Sequence, residues 1–356
     1  VDGYAVHHAD LDPDGPTRLP VTGRIAAGHP LERPARQGEA LRIFTGAVMP
    51  AGADTVLMQE DCTLDGGIVT IPPGIAPGDN RRLAGEDLRR GATVLHAGRR
   101  LRPEDLGLAA ASGHAAVAVR VPLRVALFST GDELRDPGPD LAPGAICDSN
   151  RHMLHGLLAS LGCAVSDLGI LADRAESVHE ALAAAAPAHD LLITSGGVSV
   201  GEEDHVKGAI ESLGGLSFWR LAIKPGRPLA LGHIDDAGRT VPFVGLPGNP
   251  VAVAITFFRL ARPLILRLAG ASETAPRLWR VHTGFEMKKK AGRREFVRCR
   301  LEPGKDGVPV ARQAGAQGSG VLSSLSAADG LVELDEEMTY VAAGEAVDFL
   351  PFAEVN

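Results

Sequence analysis

Three apolar runs between residues 190 and 250 each end in a turn rich in glycine or proline. The first run, 191–194, opens into Ser195-Gly196-Gly197, and the later turns are 224–228 and 245–250. Short apolar runs bounded by such turns indicate buried strands. A strand that passes through small residues into a helix leaves N–H groups unpaired at the helix start, and these groups favour an anion. We therefore predict that the three turns line one pocket for a phosphorylated ligand.

These turns belong to a longer stretch in which strands and helices alternate. Strand-like runs and helical patterns follow one another at 125–129, 152–161, 163–168, 175–186, 191–194 and 205–213. Alternation of this kind predicts βαβ units and a parallel sheet, with ligands at the carboxyl ends of the strands. We therefore expect an α/β parallel-sheet domain over residues 123–271.

Turn-rich segments flank the α/β stretch on both sides. Residues 1–91 carry short apolar runs between glycines and prolines, which predicts a β-rich region. Residues 92–122 hold one short helix, with Pro103 at its start and Gly113 at its end. Residues 272–356 return to short alternating strands, which predicts a small β-barrel. The expected chain is therefore multi-domain, with β-rich parts on either side of the α/β domain.

Composition limits the partners and the compartment. The formal net charge of −8 over 356 residues argues against nucleic acid, because such binding needs dense Lys and Arg. No apolar run approaches the roughly 18 to 20 residues that span a membrane. The four cysteines form no CxxC pair, so we expect a reducing cytoplasm rather than a zinc ribbon or disulfides. Because the chain starts at Val1, without a Met or a leader, we expect that a further segment precedes it.

Carboxylates follow three of the predicted strands. Glu133 stands in the sequence 129–134, Asp173 follows the next strand, and Asp204 follows the glycine loop that contains Ser199. Mg²⁺ takes one or two such carboxylates and completes its shell with water and ligand phosphate. Asp also caps helices, and both aspartates precede a predicted helix. The pattern leaves both interpretations open for the aspartates, whereas Glu133 lies beyond the cap positions, which favours a functional role.

Cations surround the turn 224–228. Arg220, Lys224 and Arg227 would bind a phosphate or another oxyanion in this otherwise acidic chain. Most clusters of this kind are solvated surface charge. Here Pro225-Gly226 and Pro228 fix the chain, which favours a binding role.

Polar clusters near the N-terminus are ambiguous by pattern. Asp2 and Thr45 each precede a glycine, and Arg82 lies close to Gly85-Glu86-Asp87. Asp and Thr beside glycine are the usual ingredients of tight turns, so pattern alone assigns them no function. The histidines show no HxxxH or HExxH spacing, which disfavours a zinc hydrolase, and neither a GxSxG elbow nor a Walker loop is present.

Taken in order, these motifs resemble those of the MoeA family of molybdopterin molybdenumtransferases, to which the E domain of gephyrin also belongs. The matching segments are 2–6, 45–50, 85–87, 129–134, 195–201, 218–228 and 245–250. The resemblance implies insertion of molybdate into adenylated molybdopterin, with Mg²⁺-dependent release of AMP. It also implies an elongated cytoplasmic homodimer, whose composite active site joins the β-rich domain of one subunit to the α/β domain of the other. A molybdopterin adenylyltransferase is the implied upstream partner.

The resemblance also assigns roles to individual residues. It implies catalytic roles for Asp2, Thr45, Asp87, Glu133, Asp173 and Asp204. Asp173 and Asp204 would hold Mg²⁺. The implied positions for molybdopterin-adenylate and molybdate are Arg82, Gly196, Gly197, Ser199, Arg220, Lys224, Arg227, Pro247, Pro250 and Ser319, the last with Ser323 and Ser324 as alternatives. Arg220 and Arg227 stand where relatives often have lysine.

Two other functions remain as alternatives. Adenylyl transfer onto molybdopterin is one, because the adenylyltransferase resembles residues 123–271 alone, although the β-rich flanks argue against it. A scaffold that binds receptor tails, as gephyrin does, is the other. The presence of the carboxylates that the resemblance requires favours the enzyme.

Overall fold

The structure is a computed structural model that describes residues 1–197, 205–305 and 307–356. The chain divides into two compact units, Val1–Val94 and Leu95–Asn356. Across the described ranges, every helix is too short or too polar to cross a membrane. The predictions for Ser199 and Asp204 lie outside the described residues.

The first unit is a six-stranded sheet. Its strands are β1 (Gly3–Val6), β2 (Thr17–Ile25), β3 (Ala40–Ile43), β4 (Thr55–Met58), β5 (Thr63–Asp65) and β6 (Ile68–Ile71). Their order is β4-β1-β3-β2-β6-β5, with β2 parallel to β3 and the other neighbours antiparallel. Both faces of β1 are buried, because Tyr4 and Val6 belong to one apolar cluster and Ala5 to another. The β-rich N-terminal region is thus confirmed.

A short helix, α1 (Pro103–Ala111), precedes the α/β domain. Pro103 is its first residue, where the missing N–H costs no hydrogen bond. Asp105 accepts a hydrogen bond from Arg102 N at 2.9 Å and pairs with Arg99 at 2.7 Å, which fixes the first turn. The helix therefore begins at the proline, as the sequence predicts.

The α/β domain follows. Its elements are β7 (Arg124–Thr130), β8 (Leu134–Arg135), β9 (Ile146–Cys147), α2 (Ser149–Ser160), β10 (Ala164–Leu171), α3 (Ala175–Ala185), β11 (Leu191–Ser195), α4 (His205–Leu213), β12 (Gly214–Arg220), β13 (Ile223–Lys224), β14 (Pro228–Asp236), β15 (Arg239–Leu246), α5 (Pro250–Thr256) and α6 (Arg262–Leu268). A π-helical turn, Phe257–Ala261, joins α5 to α6.

The main sheet has the order β10-β7-β11-β15-β14-β12. The predicted parallel pairing is confirmed for β10, β7, β11 and β15. Strands β14 and β12 add an antiparallel edge that the sequence analysis did not predict. A two-residue turn, Ala237-Gly238, reverses the chain between β14 and β15, and both of its residues have positive φ, as a tight hairpin requires.

Helices cover both faces of this sheet. Val125 and Leu127 of β7 belong to an apolar cluster that includes residues of α2 and α5, whereas Ala126 and Phe128 belong to one that includes residues of α3 and α4. Strands buried on both faces are expected to be nearly continuous apolar runs, as 125–128 is. A ligand can therefore reach this sheet at the strand ends.

The C-terminal domain is a closed five-stranded barrel, which confirms the prediction. Its elements are β16 (Trp279–Thr283), β17 (Met287–Lys288), β18 (Arg294–Glu302), β19 (Val310–Gln313), α7 (Leu322–Ser326), β20 (Gly330–Leu334), β21 (Tyr340–Val341) and β22 (Ala346–Pro351). The ring runs β18-β19-β16-β22-β20 and closes by pairing of β20 with β18. Strand β13 of the α/β domain pairs in parallel with β18, with Lys224 opposite Glu295.

Candidate functional site

The predicted turns lie at one edge of the α/β sheet. The last residues of the parallel strands are in register there, with Leu171 opposite Thr130 and Ser195 opposite Leu246. Because β14 and β12 pair antiparallel in turn, the end of β12 at Arg220 reaches the same edge. The structure thus brings together the strand ends that carry the glycine turns, Asp173 and the cations.

This edge is long compared with a single small ion. Six strands lie side by side along this edge, from β10 to β12. At about 4.8 Å between neighbouring strands, the ends of β10 and β12 lie roughly 24 Å apart. One small ion cannot contact both ends. The edge therefore suits either an extended ligand or two subsites, one near the carboxylates and one near the cations.

Gly196 and Gly197 turn the chain sharply after β11. Their φ angles are 82° and 63°, which glycine adopts without strain. A Cβ atom on Gly197 would lie 2.3 Å from Thr130 Oγ1, and Gly196 N donates a hydrogen bond to Leu246 O at 3.1 Å. The turn is therefore held between the ends of β7 and β15, with no room for a side chain at residue 197.

Buried hydroxyls at this edge have no partner in the part of the chain that the structure describes. They are Ser129 Oγ, Thr130 Oγ1, Thr194 Oγ1 and Ser195 Oγ, and Asn150 Oδ1 shares this property. Buried polar atoms are normally hydrogen-bonded. Several unpaired oxygens at the ends of β7 and β11 are consistent with a site whose ligand or bound water supplies the missing partners.

Glu133 is exposed directly before β8, which pairs with β9 and so closes the loop 136–145. Its carboxylate folds back over Gly131, because a Cβ atom there would lie 2.6 Å from Glu133 Oε2. Its carbonyl oxygen accepts a hydrogen bond from Ile146 N at 2.8 Å. The buried guanidinium of Arg151 pairs with Asp136 in the same loop. These contacts fix the loop and leave the Glu133 carboxylate open to solvent.

Asp173 lies two residues beyond β10, and its side chain is half-buried. The N-cap of α3 is Arg174, so Asp173 does not occupy the cap position that the alternative interpretation gave it. Asp173 and Glu133 follow neighbouring strands whose last residues are in register. Among the described residues, no three or more His, Cys, Asp or Glu side chains gather as a metal site.

Cations from two domains line a cleft of about 420 Å³ at the other end of the edge. Arg220 and Arg227 come from the α/β domain, and Lys290 and Arg293 come from the barrel. The first two are among the residues predicted from the sequence and the last two are not, although the run 288–294 is basic. We call this space the oxyanion cleft.

Backbone hydrogen bonds hold the two walls of the oxyanion cleft in place. Leu221 N donates to Arg227 O at 2.7 Å, which closes the turn on itself. Arg294 N donates to Ala222 O at 2.8 Å, which joins that turn to the barrel. The cations of the two walls therefore face one another because of main-chain pairing rather than side-chain attraction.

Lys224 lies beside the cleft and already has a partner. Its Nζ donates to Glu295 Oε2 at 3.0 Å, and Arg293 Nε donates to Glu295 Oε1 at 3.1 Å. Arg220, Arg227 and Lys290 form no ion pair with any described residue. The cleft region therefore holds more positive charge than its own carboxylate neutralises.

Arg298 is a buried cation that the sequence analysis missed. It is fully buried on β18 and donates to Ser324 Oγ at 3.1 Å, Ala316 O at 3.1 Å and Gly318 O at 3.0 Å. No described carboxylate pairs with it, and burial lowers the pKa of its guanidinium. The signal was a charged residue within 295–301, one of the short alternating runs of the C-terminal region.

Ser319 lies against the start of α5. Its carbonyl oxygen accepts a hydrogen bond from Val251 N at 3.0 Å, next to Pro250. The turn that contains Pro247 is held by Asn150, whose Nδ2 donates to Gly248 O at 2.6 Å. Ser319 therefore lies beside Pro250, and it follows Gly318, whose carbonyl oxygen accepts a hydrogen bond from Arg298. Of the alternatives, Ser323 is exposed and Ser324 is bonded to Arg298.

In the first unit, Asp2 and Thr45 contact each other directly. Asp2 Oδ1 accepts hydrogen bonds from Thr45 N at 2.9 Å and Thr45 Oγ1 at 3.0 Å. The backbone hydrogen bond from Thr45 is the main reason that the pKa of Asp2 lies below its usual value. Sequence predicted both residues, and the structure brings them together.

Arg82 and Asp87 lie on an exposed loop of the same unit. Leu83 N donates to Glu86 Oε2 at 2.9 Å and thereby closes the turn between them. Within the described ranges, neither residue forms a hydrogen bond with Asp2 or Thr45. The four predicted residues of this unit therefore form one contacting pair and one loop.

Known families match the chain in three consecutive parts. Residues 1–113 match the "MoeA N-terminal region (domain I and II)", 126–267 a "Probable molybdopterin binding domain" and 280–352 the "MoeA C-terminal region (domain IV)". The chain is also 40% identical over 354 residues to the molybdopterin molybdenumtransferase of Haemophilus influenzae, an alignment that covers 99% of this chain and 86% of that protein. The chain belongs to the MoeA family.

Two further members of the MoeA family are similar over nearly the whole chain. Molybdopterin molybdenumtransferase 2 of Mycobacterium tuberculosis is 36% identical, over 97% of this chain and 85% of the relative. A solved structure of the molybdopterin biosynthesis MoeA protein from Pyrococcus horikoshii OT3 has a TM-score of 0.81 at 28% identity, over 99% of this chain and 86% of that one. The fold of the family is therefore present throughout.

The three matching regions divide the candidate residues. The N-terminal region contains Asp2, Thr45, Arg82 and Asp87. The molybdopterin-binding region contains the residues from Glu133 to Pro250. The C-terminal region contains Lys290, Arg293, Glu295, Arg298 and Ser319.

Proposed function

We propose that the chain transfers molybdenum from molybdate to adenylated molybdopterin, with Mg²⁺-dependent release of AMP. It is a transferase of molybdenum cofactor biosynthesis, and molybdenum insertion into molybdopterin is the activity that its relatives are named for.

The oxyanion cleft is the observation that carries the proposal. A chain with a formal net charge of −8 gathers four cations around about 420 Å³, and three of them have no ion-pair partner among the described residues. Guanidinium groups present several donors in a plane and bind tetrahedral oxyanions through paired hydrogen bonds. Buried Arg298 supplies further uncompensated charge within the same barrel strand that borders the cleft. A tetrahedral dianion such as molybdate suits this arrangement.

The rest of the sheet edge suits a long phosphorylated ligand. The turn of Gly196 and Gly197 follows β11, and unpaired hydroxyls lie at the ends of β7 and β11. A pterin adenylate is extended, and roughly 24 Å of sheet edge accommodates such a ligand between the carboxylates and the cations. Pro247, Pro250 and Ser319 would shape the part of the pocket at the end of β15.

The carboxylate end of the edge suits Mg²⁺. Asp173 is half-buried and follows the strand next to the one that Glu133 follows. Mg²⁺ needs one or two carboxylates when ligand phosphate and water complete its shell, so Asp173 with Asp204 would be sufficient. When bound, the ion would neutralise charge on the departing AMP phosphate. Glu133 would remain available beside it as an exposed carboxylate.

We also propose a cytoplasmic homodimer with a composite active site, supplied with substrate by a molybdopterin adenylyltransferase. Asp2, Thr45, Arg82 and Asp87 would complete the site in this assembly. The direct contact of Asp2 with Thr45 supports a shared role, because it holds a low-pKa carboxylate and a hydroxyl in one fixed arrangement.

Release of AMP tests the proposed reaction. Purified protein is incubated with molybdopterin-adenylate, molybdate and Mg²⁺, and AMP is followed by chromatography. We expect release only when all three are present, and its loss in Glu133→Gln and Asp204→Asn. Glu302→Gln is the matched control, because Glu302 is an exposed barrel carboxylate paired with Arg312. Consumption of ATP without molybdate would instead indicate an adenylyltransferase.

Mixing inactive variants tests the composite site. Asp2→Asn and Glu133→Gln would each be inactive as homodimers. If each active site takes Asp2 from one subunit and Glu133 from the other, a mixed dimer contains one site with both residues intact. Recovery of AMP release after the variants are refolded together would support the proposal, and no recovery in a verified mixed dimer would contradict it.

A further inference from the structure

Glu295 is the one carboxylate bound to the cations around the oxyanion cleft in the described residues. It is only 4% exposed, and its two oxygens accept hydrogen bonds from Lys224 at 3.0 Å and Arg293 at 3.1 Å. Arg293 also lines the cleft, so the carboxylate stands directly behind one wall. An anion in the cleft would therefore meet this negative charge together with the cations.

A carboxylate in this position has two opposite effects. It pairs with Lys224 and Arg293, and these pairs offset the cost of burying its own charge, because a buried charge without a partner is costly. It also repels any anion that enters, by an energy proportional to the charge of that anion. Five cations, namely Arg220, Lys224, Arg227, Lys290 and Arg293, and this one carboxylate leave four net positive charges around the cleft.

We propose that Glu295 sets the affinity and the charge selectivity of the oxyanion cleft. This inference rests on one part of the proposed function, namely that the oxyanion binds in the cleft. By weakening the bound state of a dianion, Glu295 keeps the substrate from being held too tightly to be transferred. Binding that stabilises substrate and transition state equally does not speed a reaction once the site is full. Glu295 is therefore a specificity-determining residue that acts through charge.

The test measures binding of two tetrahedral anions of different charge. Isothermal titration calorimetry at fixed ionic strength compares molybdate, a dianion, with perrhenate, a monoanion. Glu295→Gln keeps the size of the side chain and removes its charge. We expect Kd to fall about tenfold for molybdate and about threefold for perrhenate, because the Coulomb energy doubles with the charge of the ligand.

Glu302→Gln is the matched control for this experiment. Glu302 lies on the same strand β18, is paired with Arg312 and is exposed, so its substitution changes the net charge equally but away from the cleft. We expect little change in either Kd. The proposal would be overturned if Glu302→Gln tightened binding as much as Glu295→Gln. It would also be overturned if Glu295→Gln left molybdate binding unchanged or weaker, or if it changed Kd by the same factor for both anions.

Lys290→Gln shows whether the anion occupies the cleft. We expect weaker binding of both anions, with the larger loss for molybdate. Unchanged binding in this variant would place the anion elsewhere and overturn the inference. If molybdate binds to no variant while AMP release proceeds, the inference fails and the proposed function stands. If Glu295→Gln tightens molybdate binding while AMP is never released, the inference stands and the proposed function fails.

Discussion

Replacement of Gly197 by alanine tests the packing of the sheet edge against the turn after β11. The new Cβ atom would lie 2.3 Å from Thr130 Oγ1 and 2.8 Å from Val206 Cγ2. Thr130 is buried at 3% exposure, and a β-branched side chain has few rotamers with which to yield. Either the turn or the end of β7 must therefore move.

The magnitude follows from two terms. An alanine at a φ of 63° costs about 1 kcal/mol relative to glycine. Overpacking of a well-filled site costs about 1 to 3 kcal/mol. We expect a loss of about 2 to 4 kcal/mol in the free energy of unfolding, which corresponds to a fall of roughly 5 to 10 °C in Tm for a domain of this size.

Thermal unfolding monitored by tryptophan fluorescence measures this loss. Both tryptophans of the chain, Trp219 and Trp279, lie in the second unit, so the signal reports the unit that contains the substitution. Thr130→Ala provides the coupling test, because its hydroxyl has no hydrogen-bond partner among the described residues. The double variant should lose about 1 to 2 kcal/mol less unfolding free energy than the sum of the losses in the two single variants. Strict additivity of the two substitutions would refute the argument.

Three further outcomes are expected. Gly131→Ala should abolish most AMP release with a modest loss of stability, because its Cβ atom would displace the Glu133 carboxylate, 2.6 Å away; normal turnover would contradict this. The hydrogen bond from Arg33 lowers the pKa of Glu39 to about 2. The ionised Glu39 carboxylate therefore stabilises the folded state above a pH of about 4.5, and this stabilisation is lost as the pH falls toward 2. In urea denaturation, Glu39→Gln should therefore reduce the change in unfolding free energy between pH 5 and pH 3 by about 2 kcal/mol. Arg298→Met should weaken molybdate binding in calorimetry more than Arg298→Lys, which keeps the charge.

The α/β core was predictable because its signals are local. Runs such as 125–128 are apolar throughout, and the glycines that follow β11 are visible in the sequence. The antiparallel edge was not predictable in the same way. The turn between β14 and β15 is Ala237-Gly238 rather than Asn-Gly, so the commonest hairpin signal is absent.

The cationic half of the candidate site depends on contacts between distant parts of the chain. Lys224 and Glu295 are separated by 71 positions, and only the pairing of β13 with β18 brings them together. Arg298 is a different case, because a charged residue in a strand is usually exposed. It is buried because the carbonyl groups of Ala316 and Gly318 accept hydrogen bonds from its guanidinium. The sequence around Arg298 does not predict these contacts.

The pairing of β13 with β18 makes the oxyanion cleft a late product of synthesis. Its first wall, with Arg220 and Arg227, leaves the ribosome well before Lys290 and Arg293, and two strand residues join the walls. A chain that ends before Lys290 therefore carries half of the cleft at most. We expect that only a finished polypeptide can sequester a scarce trace-element anion.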